Sequence, residues 1–167
     1  MIIRDEAHED FATIRAINES AFDTSSEADL VDLLRLKADP IVSLLAEKNN
    51  EVVGHIMFSP VTLDHWPNLK LMGLAPMAVI PEYQRTGVGS ALVQKGLDKC
   101  RHLGIGAVFV LGHPEYYPRF GFLPSSTFGI DCEYDVPAEL FMAQELADGY
   151  LGSVSGTIRY HKAFLGV

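Results

Sequence analysis

Cysteine is scarce in this chain. Cys100 and Cys132 stand alone, at no spacing that suits a metal site or a disulfide framework, so both are expected as reduced thiols. The six histidines (His8, His55, His65, His102, His113 and His161) are scattered without His-x3-His or His-Glu-x-x-His spacing, and no metal is expected. Positive charge is also in deficit: 13 Lys and Arg against 22 Asp and Glu give a net charge of −9. That balance argues against a nucleic-acid surface, where affinity comes mainly from Lys and Arg neutralising phosphates. It is compatible with a cationic ligand, although solubility is the more ordinary reason for an acidic chain. No apolar run approaches the length of a membrane span, and Met1-Ile2-Ile3-Arg4-Asp5-Glu6 lacks the basic start and apolar stretch of a leader. The expectation is a cytoplasmic protein with no membrane partner. Repeats, linkers and low-complexity stretches are missing too, and 167 residues at 48% hydrophobic suffice for one packed core, read as a single domain over 1–167.

What is present alternates between strand and helix signals. Ile2, Ile3 and Arg4 begin a strand, and Phe11, Ile14, Ile17 and Ala21 recur at helical spacing behind the acidic Glu9 and Asp10. Ser26 with Asp29 three residues on resembles a capping box for a second helix bearing Leu30, Leu33 and Leu34, and Pro40 forbids its continuation. Residues 42–47 and 52–63 are β-rich and flank a natural hairpin turn at 48–51, where Asn49 and Asn50 tolerate left-handed angles. Pro60 limits pairing near the end of that second strand. A strand follows at 70–79, where Pro76 removes a ladder donor and predicts a bulge or a splayed edge. From Gly87 a helix buries Val88, Leu92, Gly96, Cys100 and Leu103, and 108–111 reads as a buried strand. Residues 128–134 and 156–164 look strand-like, with a short helix expected at 137–146.

The most informative segment is 84–90, Gln-Arg-Thr-Gly-Val-Gly-Ser, between the apolar run 74–79 and the helix pattern that follows. Gly87 and Gly89 permit a tight turn and close backbone approach, while the free N–H groups of a helix's first turn carry the positive end of its dipole. Such a place binds phosphate. It is not a P-loop, because no Lys precedes Ser90, and not a dinucleotide fingerprint, because the third position holds Leu92. An ordinary tight connection between strand and helix is the competing reading of one Gly-x-Gly. A second unit lies about thirty residues on, where the strand at 108–111 runs into Gly112-His113-Pro114-Glu115-Tyr116-Tyr117-Pro118-Arg119-Phe120-Gly121-Phe122.

Together these segments resemble the GNAT superfamily of N-acetyltransferases. Gln84, Gly87 and Gly89 match its Gln/Arg-x-x-Gly-x-Gly/Ala signature, and 117–122 matches its Tyr-x-x-x-Gly-Phe ending. The Tyr-Tyr-x-Arg-Phe-Gly-Phe form and the tail after it are similar to the YhbS-like group. The resemblance covers roughly residues 2–164 and is strongest over 71–123. It implies an α/β fold with a central, mostly antiparallel sheet, splayed strands and flanking helices. It implies acetyl-CoA as co-substrate without a metal, and an amine of a small molecule or protein as acceptor. The coenzyme pyrophosphate would lie on Gln84, Arg85, Thr86, Gly87, Val88, Gly89 and Ser90, and the pantetheine arm along Met77, Ala78 and Val79. Tyr117 would be the proton donor to the departing sulfur, while Tyr116 reads as aromatic packing. A homodimer is compatible with the family. One departure is Val110, which stands where many members carry an Asn that reaches the pantetheine; the His113 side chain or the Gly112 backbone are the substitutes at hand. For a base, Glu27, His55, His113 and Glu115 are candidates, each with a structural role that explains it equally well. The alternative from another class is a non-catalytic acyl-CoA-binding or regulatory module on the same fold.

Overall fold

The computed structural model describes residues 1–166. Nine strands and three helices follow one another as β1 (Ile2–Asp5), α1 (Phe11–Ala21), α2 (Ser26–Lys37), β2 (Val42–Lys48), β3 (Glu51–Leu63), β4 (Leu71–Val79), α3 (Val88–His102), β5 (Ala107–Leu111), β6 (Leu123–Pro124), β7 (Ile130–Cys132), β8 (Phe141–Glu145) and β9 (Gly156–Arg159). The sheet runs in the order β1-β2-β3-β4-β5-β8-β6, and β9 joins the end of β3 to β7. Pairing is antiparallel except at β4–β5 and β7–β9. No helix among the described residues is long and apolar enough to cross a membrane.

Strand alternation divides the core. Leu44, Ala46, Ile56 and Phe58 face α3, whose stripe Val88, Leu92, Val93, Leu97 and Cys100 packs on them. Leu45 and Met57 face the other way, onto Ile14 of α1 and Leu30, Val31 and Leu34 of α2. Leu103, assigned by its spacing to the α3 stripe, lies past the helix end and is 47% exposed.

The hairpin forms as its sequence predicts, with Asn49 at φ 55° and Asn50 at φ 62°. The Pro76 prediction is also met. On β3 the register steps from Ile56, opposite Met77, to Phe58, opposite Leu74, so that Ala75 and Pro76 together face the single residue Met57. Two residues against one is a bulge.

Five further expectations fail. Residues 137–146 form no α-helix: a short 3₁₀ turn at Ala138–Leu140 leads into β8. Good helix formers such as Ala143, Gln144 and Glu145 are overridden because Phe141 and Ala143 alternate into the core beside Phe109, with the Phe109 and Phe141 rings stacked at 5.7 Å. The strand expected at 156–164 stops at Arg159, and the one at 128–134 shrinks to β7. At the start of α2 the cap is Ser25, with no side-chain cap bond, and the Asp29 carboxylate pairs with Arg15 instead of capping. Pro60 does not interrupt pairing, since Pro60 lies opposite Met72 and Val61 opposite Leu71.

Candidate active site at the strand splay

β4 and β5 pair only over Leu71–Leu74 and Ala107–Val110. Beyond Leu74 the bulge turns β4 away, and Met77, Ala78 and Val79 pair with β3 alone. Which of their backbone groups remain free follows from the ladder. Ile80 donates its N–H to the Val53 carbonyl at 2.9 Å, so by antiparallel alternation Ala78 exchanges bonds with His55, and the backbone groups of Met77 and Val79 face the opening. The Val79 carbonyl confirms the direction by accepting from Gln84 Nε2 at 3.0 Å. Ala78 is buried, with its backbone turned to β3.

At the end of β4 the chain passes through a 3₁₀ turn at Pro81–Tyr83 into the loop that starts α3. Left-handed angles fall on Arg85 (φ 63°) and Gly87 (φ 92°), with Gly87 at the helix cap. Arg85 holds an angle that non-glycine residues seldom adopt, which marks a constrained loop. Gly89 is already helical, and its lack of a side chain matters for approach: a Cβ there would lie 3.1 Å from the Tyr116 hydroxyl and 3.6 Å from Met77 Cε. Thr86 Oγ1 donates to the Tyr83 carbonyl and ties the turn. The first helical bond runs from Ala91 N–H to the Gly87 carbonyl, which leaves the N–H groups of Val88, Gly89 and Ser90 ahead of the ladder. The Ser90 hydroxyl lies 3.3 Å from that of Tyr116. Arg119 holds Tyr116 in turn, with its guanidinium 4.5 Å from the ring centroid and Nε bonded to the Tyr116 carbonyl. Tyr116 thus clasps the short Tyr117–Phe120 turn to the head of α3.

A cavity of about 650 Å³ opens at the splay. Its walls come from β4 (Leu74 to Met77), from Leu111, Gly112, His113 and Tyr117 after β5, from Phe22, Glu27 and Leu30, and from the carboxy-terminal Tyr134, Val136, Tyr160 and Phe164. Tyr117 is buried within Tyr116, Phe120 and Phe122, and its ring fits only because residue 112 is glycine, where a Cβ would lie 2.5 Å from Tyr117 Cε2. Among the described residues its hydroxyl has no hydrogen-bond partner, and burial pushes its pKa up to about 12, so the phenol keeps its proton at neutral pH.

The other expected residues separate. His55 is fully buried between Ser43 and Asn18, away from the cavity, and desolvation lowers its pKa to about 4. Glu115 is exposed and is not among the cavity residues, whereas Glu27 and His113 are. Val110, in the position of the family's Asn, is core. The Gly112 N–H donates to the Leu140 carbonyl and is no substitute for that Asn. Sequence reading missed Phe22, Tyr134, Tyr160 and Phe164, which stand far apart in the chain without a motif. Among the described residues no group of three or more His, Cys, Asp or Glu side chains is placed to hold a metal ion.

Comparison with known proteins shows the family to which this fold belongs. The model of the acetyltransferase (GNAT) family matches residues 5–122. The chain belongs to the GNAT family. It is 34% identical over 165 residues to the uncharacterized N-acetyltransferase YhbS of Escherichia coli K12, covering 98% of each chain. It is 45% identical over 134 residues to the uncharacterized N-acetyltransferase YjhQ of the same strain, covering 78% of this chain and 74% of that protein. Among solved structures, YhbS of Escherichia coli in complex with CoA superposes with a TM-score of 0.91 over 98% of this chain and 91% of that one, at 34% identity. A GNAT acetyltransferase from Brucella melitensis in complex with acetyl-CoA gives 0.81 over 98% and 97%, at 33% identity. The likeness to YhbS agrees with the group resemblance read from 116–122 and the tail.

Proposed function

We propose that this GNAT protein is an acetyl-CoA-dependent N-acetyltransferase, and that Tyr117 supplies the proton for the departing sulfur. The observation that carries the reading is the Tyr117 hydroxyl, protonated and without a partner among the described residues, on a cavity that begins where β4 leaves β5. The residues fit the coenzyme. The N–H groups of Val88, Gly89 and Ser90, at the end of a loop turned by the left-handed Arg85 and Gly87, suit a diphosphate at the positive end of α3. Thr86 and Gln84 brace that loop rather than reach outward. Met77 and the Val79 N–H offer backbone groups for a pantetheine amide to pair with, the Val79 carbonyl being taken by Gln84, while Ala78 contributes only its place in the strand.

Chemistry then needs little more. The amine nitrogen bonds to the thioester carbonyl carbon, the carbon–sulfur bond breaks with its electron pair on sulfur, and Tyr117 passes its proton to that sulfur. The proton released from the nitrogen restores Tyr117 through solvent. An N–H of the free β4 edge stabilises charge on the carbonyl oxygen, and holding both reactants in one cavity lowers the entropic barrier.

Two variants test the reading. Tyr117→Phe is expected to keep acetyl-CoA affinity and lose turnover by roughly 10²–10⁴-fold, the range for a positioned acid. Thiol release across a panel of amines measures it, and wild-type rates would remove Tyr117 from the mechanism. Gly89→Val, folded but with a side chain pressed toward Tyr116 and Met77, is expected to abolish acetyl-CoA binding by calorimetry; unchanged affinity would move the coenzyme elsewhere.

A further inference from the structure

The acids around α2 are almost all engaged. Arg35 holds Glu6 at 2.7 Å, and Arg15 holds both Asp29 and Asp32 at 2.7 Å. Glu27 is different: among the described residues it forms no ion pair and no hydrogen bond, yet it is half-buried and lines the cavity at the splay. Among the described residues no Lys or Arg lines that cavity and Glu27 is its one carboxylate, so Glu27 meets no fixed cation there.

The wall supplied by the end of the chain is aromatic. Tyr134 and Tyr160 lie with ring centroids 5.6 Å apart, and Tyr160 and Phe164 at 5.0 Å. Tyr160 rests on Gly73 of β4, where any Cβ would lie 3.0 Å from its ring, so the wall is pressed against the strand that splays. Phe22 faces the cavity from the end of α1. A half-buried carboxylate and aromatic rings on one cavity suit a cation: the carboxylate supplies charge, a ring face can add its quadrupole, and the ring area buries an apolar body. A phosphate or carboxylate ligand would meet like charge and, among the described residues, no Lys or Arg to offset it.

We infer that the acceptor is a small primary amine carried on an apolar or aromatic body, taken up as its ammonium ion by Glu27 against the Tyr134–Tyr160–Phe164 wall. This inference rests on the acetyltransferase reading and names its substrate class. The volume of about 650 Å³ lies within the range of small-molecule sites. Glu27 here determines specificity by binding, the ammonium ion gives one proton to water before its nitrogen attacks, and the wall selects the body of the amine.

The test is calorimetric titration of the coenzyme A-saturated protein with 2-phenylethylamine, with its N,N,N-trimethyl analogue, which cannot be acetylated, and with 3-phenylpropionate, which carries the same ring and the opposite charge. Both cations are expected to bind and the anion is not. Glu27→Gln, checked for folding by its thermal transition, is expected to weaken both cations roughly tenfold or more. Tyr134→Ala, a second variant away from the carboxylate, is expected to weaken them less and to leave the discrimination against 3-phenylpropionate intact. Absence of cation binding to the wild-type protein, equal binding by Glu27→Gln, or equal binding of the anion would each overturn the inference. Its failure is separable from that of the acetyltransferase reading: a protein that releases thiol with amines but does not bind these cations through Glu27 loses this inference and keeps that reading, and one that binds them through Glu27 yet releases no thiol with any amine keeps the cation site and loses the acetyltransferase reading, with the acceptor role that depends on it.

Discussion

The two faces of the β2–β3 hairpin are closed by different chemistry. Toward α3 the contact is dry and close, because Gly54 lies under Val88 and Leu92, and Gly96 leaves room for the Phe58 ring. Toward α1 and α2 the same strands bury a polar chain instead. Glu6 is a carboxylate that can only accept, so the Ser43 hydroxyl donates to it; Ser43 then accepts from His55 Nε2–H at 2.9 Å, which leaves Nδ1 to accept from Asn18 Nδ2 at 3.3 Å. Arg35 completes the chain by donating to Glu6, with its guanidinium 3.8 Å from the Phe11 ring centroid. The dry face is sensitive to volume and indifferent to pH. The polar face is the reverse, because each of its bonds has a direction and a protonation state. In the proposed enzyme the dry face carries the coenzyme loop, and the polar face positions the helices that bring Phe22 and Glu27 to the cavity.

Acid gives the sharpest test of that contrast. In the unfolded chain His55 titrates at its ordinary value of 6.5, whereas burial holds the folded ring neutral down to about 4. As pH falls, the unfolded state takes up the proton first. Stability is therefore complete above about pH 6.5 and declines toward pH 4, by about 3 kcal/mol in total. Urea unfolding across pH 4–7 should show this slope and His55→Gln should lose it; an equal slope in both would assign the effect to other groups.

Gly96→Ala probes the dry face. A Cβ there would lie 2.2 Å from Phe58 Cε1, which outweighs the helix propensity gained, and the expected loss is about 2 kcal/mol with no change in the pH slope. A neutral result would mean that Phe58 yields freely and that the face is less tightly packed than its geometry indicates.

The smallest expected effect is that of Ser43→Ala, which leaves the His55 N–H without its acceptor at a cost of about 1.5 kcal/mol. Because an unsatisfied ring is no easier to protonate in a dry site, the slope between pH 4 and 6.5 should persist. Denaturant unfolding that shows no loss would mean that water replaces the hydroxyl, and that the polar face is looser than the dry one.

Much of the proposed donor side was legible because its signals are local. Gly87 at a helix cap, Pro76 in a strand and Asn49-Asn50 in a hairpin each restrict their own backbone, and the strand, loop and helix around 84–90 follow from residues in contact along the chain. Even there one assignment shifted. The left-handed angles fall on Arg85 and Gly87, and Gly89 serves close approach, a distinction that depends on where Tyr116 arrives from later in the chain. His55, read from sequence as one candidate base among four, is removed from the cavity by the alternation of β3, which turns it onto Asn18 and Ser43.

By itself the sequence determined the strand–loop–helix at the head of α3, the bulge at Pro76, the aromatic turn that holds Tyr117 and the family to which the chain belongs, since these depend on backbone restrictions and spacings within short stretches. Tertiary structure alone decided that 141–145 is a strand, because pairing with β5 outweighs the helix propensity of its residues. It also decided which acid stays unpaired. Glu27, Asp29 and Asp32 are all acids of one helix, and only the packing of α1 on α2 places Arg15 against two of them and leaves the third on a cavity walled by rings from the far end of the chain.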